Sequence, residues 1–172
     1  HPVFISDNSE SAIIKKKNES LKSFFLRVED ARYDTQKRIS KNVKSSSIYF
    51  DTALKLIPFL TLKCGLKNNS QVLDYGSGGL RCGFGLLDYL DQSCYSAADI
   101  TSEFIKAALE SYFLLADLYR TKKGKFYEID KDIIPKSNFD LVISCYVVHH
   151  IPKEELLSFL KSVKSYLKYE GL

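Results

Sequence analysis

The sequence is poor in the residues that mark several classes of protein. It holds no methionine, and its 4 cysteines (Cys64, Cys82, Cys94 and Cys145) are far apart and form no Cys-x-x-Cys pair. Without that spacing neither a zinc site nor a disulfide framework is indicated. We therefore expect reduced thiols, no bound metal and a cytoplasmic protein. The absence of any methionine indicates a fragment or a processed chain.

Long apolar runs and a strong charge of one sign are also missing. No stretch approaches the roughly 18 apolar residues of a membrane helix, so a membrane-spanning protein is not expected. The opening residues, 1–5, lack the layout of a secretory signal. Residues 1–45 hold ten basic and six acidic side chains, whereas the charges of the remaining residues balance. Such an excess is typical of a solvated helix face, and without a nucleic-acid motif we expect no nucleic-acid partner.

The composition that remains is that of one ordinary globular domain, with 172 residues of which 45% are hydrophobic. Residues 1–17 are unpatterned. Apolar residues at three- and four-residue spacing predict a helix over 19–40 and a second over 48–60, which Pro58 should kink or split. These patterns predict an N-terminal helical extension or lid over residues 1–47.

Short apolar strands alternate with helical patterns in residues 48–172, the predicted second domain. The strands are predicted at 71–75, 93–100, 125–129 and 139–148, and the helices at 80–90, 101–120 and 153–169. The last of these strands is continuous enough to be buried on both faces. The alternation predicts βαβ units and therefore an α/β fold with a parallel sheet.

A glycine turn follows the first of these strands. The strand ends in Asp74, and Gly76-Ser77-Gly78-Gly79 comes directly after it. Glycines there let a ligand approach the backbone closely. Asp99 ends the next strand, where a carboxylate can accept hydrogen bonds from both hydroxyls of a ribose. The alternative is a structural turn with a helix-capping aspartate.

The turn lacks the marks of a phosphate-binding loop. A dinucleotide fingerprint would need glycine at position 81, which is Arg81, and the Gly-Lys-Ser/Thr of a P-loop is missing. A ligand with a ribose and no phosphate in the turn fits this pattern best. A nicotinamide-dependent oxidoreductase is the less favoured alternative.

Four segments, in this order, resemble the motifs of the class I S-adenosylmethionine-dependent methyltransferases. They are 72–81 for the first glycine motif, 98–101 for the ribose acid, 139–152 for the fourth-strand motif and 167–172 for the turn into a fifth strand. The resemblance implies a Rossmann-like, doubly wound and mainly parallel sheet flanked by helices, with S-adenosylmethionine as cofactor. Because the family's sheet has seven strands, we expect a sheet truncated after strand four. A second copy or a further chain would then cover its edge.

The resemblance implies which residues bind the methionine half of the cofactor. The run Gly76-Ser77-Gly78-Gly79 would lie beside it, and Asp74 would order the turn and attract the ammonium group. The sequence departs from the family at Leu80, where a third glycine is common, and Arg81 follows as in a subset of the family.

The ribose, the adenine and the sulfonium are assigned in the same way. Asp99 would bind the ribose, and Ile100 would flank the adenine. Ile129 and Asp130 would border the adenine edge, with Asp130 the partner of its amino group. The floor near the sulfonium would be closed by Ser144, Cys145 and Tyr146.

Methyl transfer from a sulfonium is an in-line displacement in which the cofactor provides the reactive carbon. A base is needed if the acceptor must first lose a proton. His149 and His150 are the candidate catalytic bases, since histidine titrates near pH 6.5. Adjacent side chains of an extended chain point in opposite directions, so at most one should face the cleft. The alternative is that both pack or cap the turn before Pro152.

The acceptor class is narrowed by one absent motif. Residues 144–147 do not read Asn-Pro-Pro-aromatic, the family's mark for amino groups of nucleic-acid bases and glutamine. We therefore expect an oxygen, nitrogen or carbon acceptor on a small molecule such as a sugar or metabolite. A cofactor-binding or degenerate module without catalytic activity is the alternative.

Overall fold

The computed structural model describes residues 4–5, 13–14 and 47–169. The chain divides into two compact units, residues 1–45 and residues 46–172. Each unit is described by itself below.

The described part of the first unit is a pair of short antiparallel strands. Strand β1 (Phe4–Ile5) pairs with β2 (Ile13–Ile14). The sequence analysis predicted no strands in residues 1–17. Strands of two residues are too short to show an alternating apolar pattern. The helix predicted over 19–40 lies outside the described residues.

The second unit alternates strands and helices as predicted. Its elements are α1 (Ser47–Cys64), β3 (Val72–Tyr75), α2 (Gly83–Tyr89), β4 (Tyr95–Asp99), α3 (Glu103–Ser111), α4 (Phe113–Thr121), β5 (Lys125–Glu128), β6 (Leu141–Ile143), a 3-10 turn (Val148–His150) and α5 (Lys153–Lys164). The strands form one sheet in the order β5-β4-β3-β6, and all neighbours are parallel. In this register Asp74 lies opposite Ala97 of β4 and Ile143 of β6.

Successive strand residues bury opposite faces of the sheet, because side chains alternate along a strand. On one face, Val72 and Ala97 belong to a cluster that includes Leu86 of α2. On the other face, Leu73 packs in a cluster with Phe159 of α5. Helices therefore cover both faces of a parallel sheet, which confirms the predicted Rossmann-like α/β fold.

The helix predicted over 101–120 is two helices. Tyr112 between them is extended, with φ −128° and ψ 98°. The amides of Tyr112 and Ala116 still donate to the carbonyls of Ala108 and Tyr112, four residues earlier, at 3.0 Å in both cases. The apolar spacing therefore continues through the bend, which explains why periodicity alone predicted one helix.

Pro58 does not split the second amphipathic stretch. Helix α1 runs through it from Ser47 to Cys64. Pro58 lacks the amide that would bond the carbonyl of Leu54. Both residues are exposed, on a side of the helix where solvent can satisfy that carbonyl.

The strand predicted over 139–148 is much shorter, and β6 ends at Ile143. Tyr146 turns the chain with φ 62°, a left-handed conformation that no strand contains. At the other end of this segment, Phe139 forms a parallel bridge with Leu167, and the Lys168 amide donates to the Phe139 carbonyl at 2.9 Å. Within the described residues the main sheet has four strands, and the residues after α5 lie beside the start of the fourth.

Among the helices in the described ranges, none combines the length and apolarity needed to cross a membrane.

Candidate functional site

The glycine turn after β3 is fixed to the neighbouring strand. The amides of Gly76 and Ser77 both donate to the Ala98 carbonyl, at 2.8 and 3.1 Å. Gly76 has φ 83°, and a Cβ there would lie 2.3 Å from Cγ2 of Val147. Gly78 has φ 49°, but a Cβ there would meet nothing within 4 Å. The turn therefore requires glycine at Gly76 for packing and leaves open space beside Gly78.

Leu80 keeps the backbone conformation that a glycine would favour. Its φ is 61°, and its side chain is fully buried in the core. The left-handed conformation costs a non-glycine residue roughly 1–2 kcal/mol. Leu80 therefore differs from the family's third glycine in its side chain, while its backbone keeps the left-handed conformation that glycine favours.

Asp99 joins the turn to the end of β4. Its Oδ2 accepts a hydrogen bond from the Gly78 amide and its Oδ1 accepts one from the Ile100 amide, both at 2.7 Å. The side chain is buried. Two carboxylate oxygens offer about four acceptor positions, so a diol can share them with the two amides. The structure thus places this acid in contact with the glycine turn, and its predicted ribose role stays a prediction.

Asp74 is a buried carboxyl group, 1% exposed, at the end of β3. The Tyr95 hydroxyl donates to its Oδ2 at 3.0 Å. Burial raises the pKa of Asp74 from 3.8 to about 7, although the Tyr95 hydrogen bond opposes the shift. The site therefore contains a carboxyl group whose ionised form a nearby cation would stabilise.

Tyr95 and Gly83 were not predicted as parts of the site. A Cβ on Gly83 would lie 2.3 Å from the Tyr95 hydroxyl, so the glycine makes room for that group. A signal was present in the sequence, since Tyr95 and Ala97 lie two residues apart and share a face of β4. Parallel pairing places that face beside Asp74.

Ser77 provides an independent observation on what the turn could hold. Its Oγ is buried and finds no hydrogen-bond partner among the described residues. Buried hydroxyl groups are normally satisfied, so an orphan next to the open side of Gly78 fits a polar ligand there. The polar amino-acid end of S-adenosylmethionine has the chemistry that this hydroxyl needs.

The segment after β6 forms the second wall of the site. The Ser144 hydroxyl donates to the Tyr75 carbonyl at 2.9 Å, and Val147 lies against Gly76. Tyr146 is 64% exposed, and the Arg81 guanidinium carbon lies 4.0 Å from the centre of its ring. The structure therefore brings the predicted residues Ser144 and Tyr146 to the turn and adds Arg81.

Cys145 lies between these two residues and faces the core. Its side chain packs against the core cluster that includes Cys82. The predicted place of Cys145 in the floor near the sulfonium stays a prediction.

The residues predicted at the adenine edge follow β4 and β5. The Ile129 amide donates to the Asp99 carbonyl at 2.7 Å. The Ile129 side chain packs on the α5 side of the core, whereas Asp130 is exposed and Ile100 is half-buried. The two strand ends are therefore adjacent, with Asp130 the accessible group.

The predicted histidines lie in the 3-10 turn, Val148–His150, and not at the end of a strand. The expectation that at most one of them faces the cleft assumed an extended chain, and that premise is wrong. His150 is buried, 5% exposed, and its amide donates to the Val147 carbonyl at 2.9 Å. This burial agrees with the packing alternative for His150.

A parallel sheet with a glycine turn after one strand and a buried acid ending its neighbour defines the Rossmann-like class of α/β protein. Residues 73–172 match the family model described as a methyltransferase domain. The match covers more than half of the sequence, so the chain belongs to the methyltransferase domain family. This confirms the predicted family and, at the level of the family, the predicted cofactor.

Solved structures of methyltransferases share the fold. Magnesium protoporphyrin IX methyltransferase from Synechocystis PCC 6803, with bound S-adenosylmethionine, matches 89% of this chain and 74% of its own, at 17% identity and TM-score 0.67. Phosphoethanolamine N-methyltransferase 1 from Haemonchus contortus, with phosphoethanolamine and S-adenosylhomocysteine, matches 91% of this chain and 32% of its own, at 17% identity and TM-score 0.64.

A Methanococcus maripaludis protein assigned to the S-adenosylmethionine-dependent methyltransferases matches 91% of this chain at 17% identity and TM-score 0.60. This chain spans 64% of that protein. It therefore covers less than two thirds of this relative and about a third of the Haemonchus enzyme. No curated protein sequence matches the chain.

Proposed function

We propose that this chain binds S-adenosylmethionine between the glycine turn and residues 144–147 and catalyses transfer of its methyl group to a small-molecule acceptor. The observation that carries the proposal is Asp99, which is buried and fixed by the Gly78 and Ile100 amides at the end of β4. When bound, the cofactor supplies an electrophilic methyl group on a sulfonium.

The turn residues provide the binding groups for the amino-acid end. The Ser77 hydroxyl has no partner among the described residues and can donate to a carboxylate. The open space beside Gly78 admits the ligand. Asp74 supplies the negative charge for an ammonium group, which would shift its raised pKa back down.

The ribose and the adenine are assigned to the next two strand ends. The carboxylate of Asp99 accepts hydrogen bonds from the ribose hydroxyls. Ile100 flanks the adenine, and the exposed Asp130 accepts a hydrogen bond from its amino group. The adjacent ends of β4 and β5, joined by the hydrogen bond from Ile129 to Asp99, support this assignment.

The acceptor is assigned to the wall formed by Arg81 and Tyr146. The ring of Tyr146 is held under the Arg81 guanidinium and is largely exposed, so it can align an acceptor. Alignment at roughly 3–3.5 Å can supply about 7–11 kcal/mol of the barrier. An oxygen, nitrogen or carbon acceptor is open, and a base role of His149 or His150 stays a prediction.

Other expectations also stay predictions. These are a lid role for residues 1–47, coverage of the sheet edge by a second copy or a further chain, and a cytoplasmic location. All cysteines among the described residues are free thiols.

A titration with S-adenosylhomocysteine tests the binding step. We expect saturable binding to the unmodified chain, and about 10- to 100-fold weaker binding by Asp99→Asn, because hydrogen bonds to a charged group contribute about 1.5–3 kcal/mol. Asp91→Asn removes the same charge at an exposed position and should leave the affinity unchanged. Absence of saturable binding at millimolar ligand, or equal effects of the two variants, would contradict the proposal.

Incubation with methyl-labelled S-adenosylmethionine and sets of small acceptors tests the chemical step. A labelled product supports the methyltransferase. Binding without any labelled product across oxygen, nitrogen and carbon acceptors would instead favour the cofactor-binding module.

A further inference from the structure

Tyr95 and Asp74 form a polar contact within the hydrophobic core. The Tyr95 hydroxyl donates to Oδ2 of Asp74 at 3.0 Å, and both residues are 1% exposed. Oδ1 of the same carboxyl group accepts no hydrogen bond from any residue that the structure describes. Buried polar atoms are normally hydrogen-bonded. One oxygen of Asp74 is therefore fixed by the protein, and the other is left for a ligand.

The register of the sheet explains why a long side chain is needed for this contact. Tyr95 pairs with Val72, which lies two residues before Asp74. Residues of a strand are about 3.3 Å apart, so the Tyr95 hydroxyl must reach roughly 6.6 Å along the strand direction to meet the carboxyl group. The rigid ring of tyrosine spans this distance and is held in the core cluster. The hydroxyl therefore meets Asp74 from a fixed direction.

Gly83 leaves the space that this hydroxyl occupies. A Cβ on Gly83 would overlap the hydroxyl oxygen of Tyr95 and would lie 2.9 Å from its Cζ. Because close-packed cores leave few voids, an alanine at this position would displace the hydroxyl from Asp74. The first residue of α2 is therefore part of the same arrangement as the carboxyl group and the tyrosine.

We propose that Tyr95 is a positioning residue that holds the carboxyl group of Asp74 for the ammonium group of S-adenosylmethionine, with Gly83 providing the space for its hydroxyl. This inference rests on the proposed function, in which Asp74 supplies the negative charge for that ammonium group. Because Tyr95 is buried, it acts through Asp74 and not by contact with the ligand. A carboxyl group that is already anchored at one oxygen loses less conformational freedom when a cation binds.

Two ligands isolate the ammonium group in a binding experiment. S-adenosylhomocysteine carries this group, and 4-(5′-deoxyadenosin-5′-ylthio)butanoic acid is the same molecule with hydrogen in place of the amino group. Both are titrated calorimetrically into the parent and into Tyr95→Phe. We expect Tyr95→Phe to bind S-adenosylhomocysteine about 10-fold more weakly, because a hydrogen bond to a charged group is lost. Its affinity for the deaminated analogue should equal that of the parent, whereas a merely structural defect would weaken both ligands.

Tyr89→Phe is the matched control for the loss of a hydroxyl. The Tyr89 hydroxyl donates to the Leu66 carbonyl at 3.4 Å, and Tyr89 is the last residue of α2, at the opposite end from Gly83. This variant should leave the affinity for both ligands unchanged. The double variant Asp74→Asn/Tyr95→Phe should bind S-adenosylhomocysteine as Asp74→Asn alone does, because residues that act through one another are not additive.

Gly83→Ala tests the same contact without a change at Tyr95. The added methyl group should displace the hydroxyl, so we expect the same selective loss of affinity for S-adenosylhomocysteine. In the Tyr95→Phe background the hydroxyl is already gone, and Gly83→Ala should weaken binding of this ligand no further. Circular dichroism establishes that each variant is folded. Should Tyr95→Phe be unfolded, the result for Gly83→Ala with the two ligands decides.

Several outcomes would overturn the positioning role. These are equal affinity of the parent for the two ligands, a loss in Tyr95→Phe that is the same for both, no loss for either, and additive losses in the double variant with Asp74→Asn. If the parent binds neither ligand, the proposed function fails and this inference fails with it. If the parent prefers S-adenosylhomocysteine and Tyr95→Phe binds as the parent does, the inference alone fails and the proposed function stands.

Discussion

Asp74 shows how a single side chain can connect the stability of this protein to its ligand. The carboxyl group is buried beside Tyr95 and is costly to ionise there, since its pKa is raised to about 7. A cation bound in the adjacent turn would reduce this cost, because it favours the ionised form of the carboxyl group. The glycine turn and Asp74 are therefore parts of one electrostatic arrangement.

This arrangement predicts a pH dependence of folding. Because the folded pKa lies above the ordinary value of 3.8, the folded chain holds a proton that the unfolded chain has released between about pH 4 and pH 7. The free energy of unfolding should therefore fall as pH rises through this range and level off above it. Asp74→Asn keeps an acceptor for Tyr95 and cannot ionise. We expect it to be more stable than the parent at pH 8, by about 2–4 kcal/mol, and to lose this advantage near pH 4.

Urea unfolding at the two pH values, without ligand, measures this difference. The exposed Asp91→Asn variant serves as the control and should show no pH-dependent gain. An Asp74→Asn variant that is less stable than the parent at pH 8 would show that the carboxylate is stabilised in the folded chain.

At the level of elements, α1 and α2 pack with their backbones close together. A Cβ at Gly85 of α2 would lie 2.6 Å from the Cβ of Ala53 in α1 and 2.9 Å from its Cα. Alanine is better than glycine in a helix interior by about 1 kcal/mol. The collision should nevertheless dominate, because overpacking of a core typically costs about 1–3 kcal/mol.

We expect Gly85→Ala to lower the free energy of unfolding by about 1–3 kcal/mol, measured by urea titration. The double variant with Ala53→Gly removes one of the two colliding atoms and should recover part of the loss. A single variant more stable than the parent would mean that the helices separate freely and that helix propensity prevails.

Much of the order of elements could be predicted from the sequence. The apolar runs that end at Tyr75 and Asp99 predicted β3 and β4, since buried parallel strands are continuous and short. The bend at Tyr112 was not predicted, because the helical spacing of apolar residues continues through it. Hydrogen bonds between residues four apart also cross the bend. The early end of β6 depends on the left-handed Tyr146, for which no glycine or asparagine gives a signal.

The parts of the candidate site that lie directly at strand ends could be predicted from the sequence. Asp99 and the Gly78 amide meet because parallel strands end at one edge of the sheet. The contacts of Tyr95 with Asp74 and of Arg81 with Tyr146 join side chains across elements. Such contacts depend on rotamers and packing, which no local pattern encodes.

At the scale of the whole molecule, a ligand that binds only the folded chain should stabilise all of the unit that holds it. With S-adenosylhomocysteine at 100 times its Kd, we expect about 2.7 kcal/mol of added stability. For a chain of this size the corresponding rise in Tm is roughly 5–10 °C.

Differential scanning calorimetry measures this rise. Adenosine and 2′,3′-dideoxyadenosine form the matched control pair, because the second lacks both hydroxyl groups assigned to Asp99. A rise with adenosine and none with the dideoxy compound is expected. Equal rises would show that the nucleoside is held without that carboxylate.

The two amide bonds to Asp99 also bear on the kinetics of the proposed complex. A carboxylate already oriented by the Gly78 and Ile100 amides has no rotamer search to complete when a ribose arrives. Ordering one side chain at an interface costs roughly 0.5–1.5 kcal/mol, and here that cost falls on folding and not on association. Binding of the nucleoside should consequently proceed without a slow rearrangement of Asp99. Variants of the residues around Asp99 should then differ in affinity mainly through the dissociation rate of the complex.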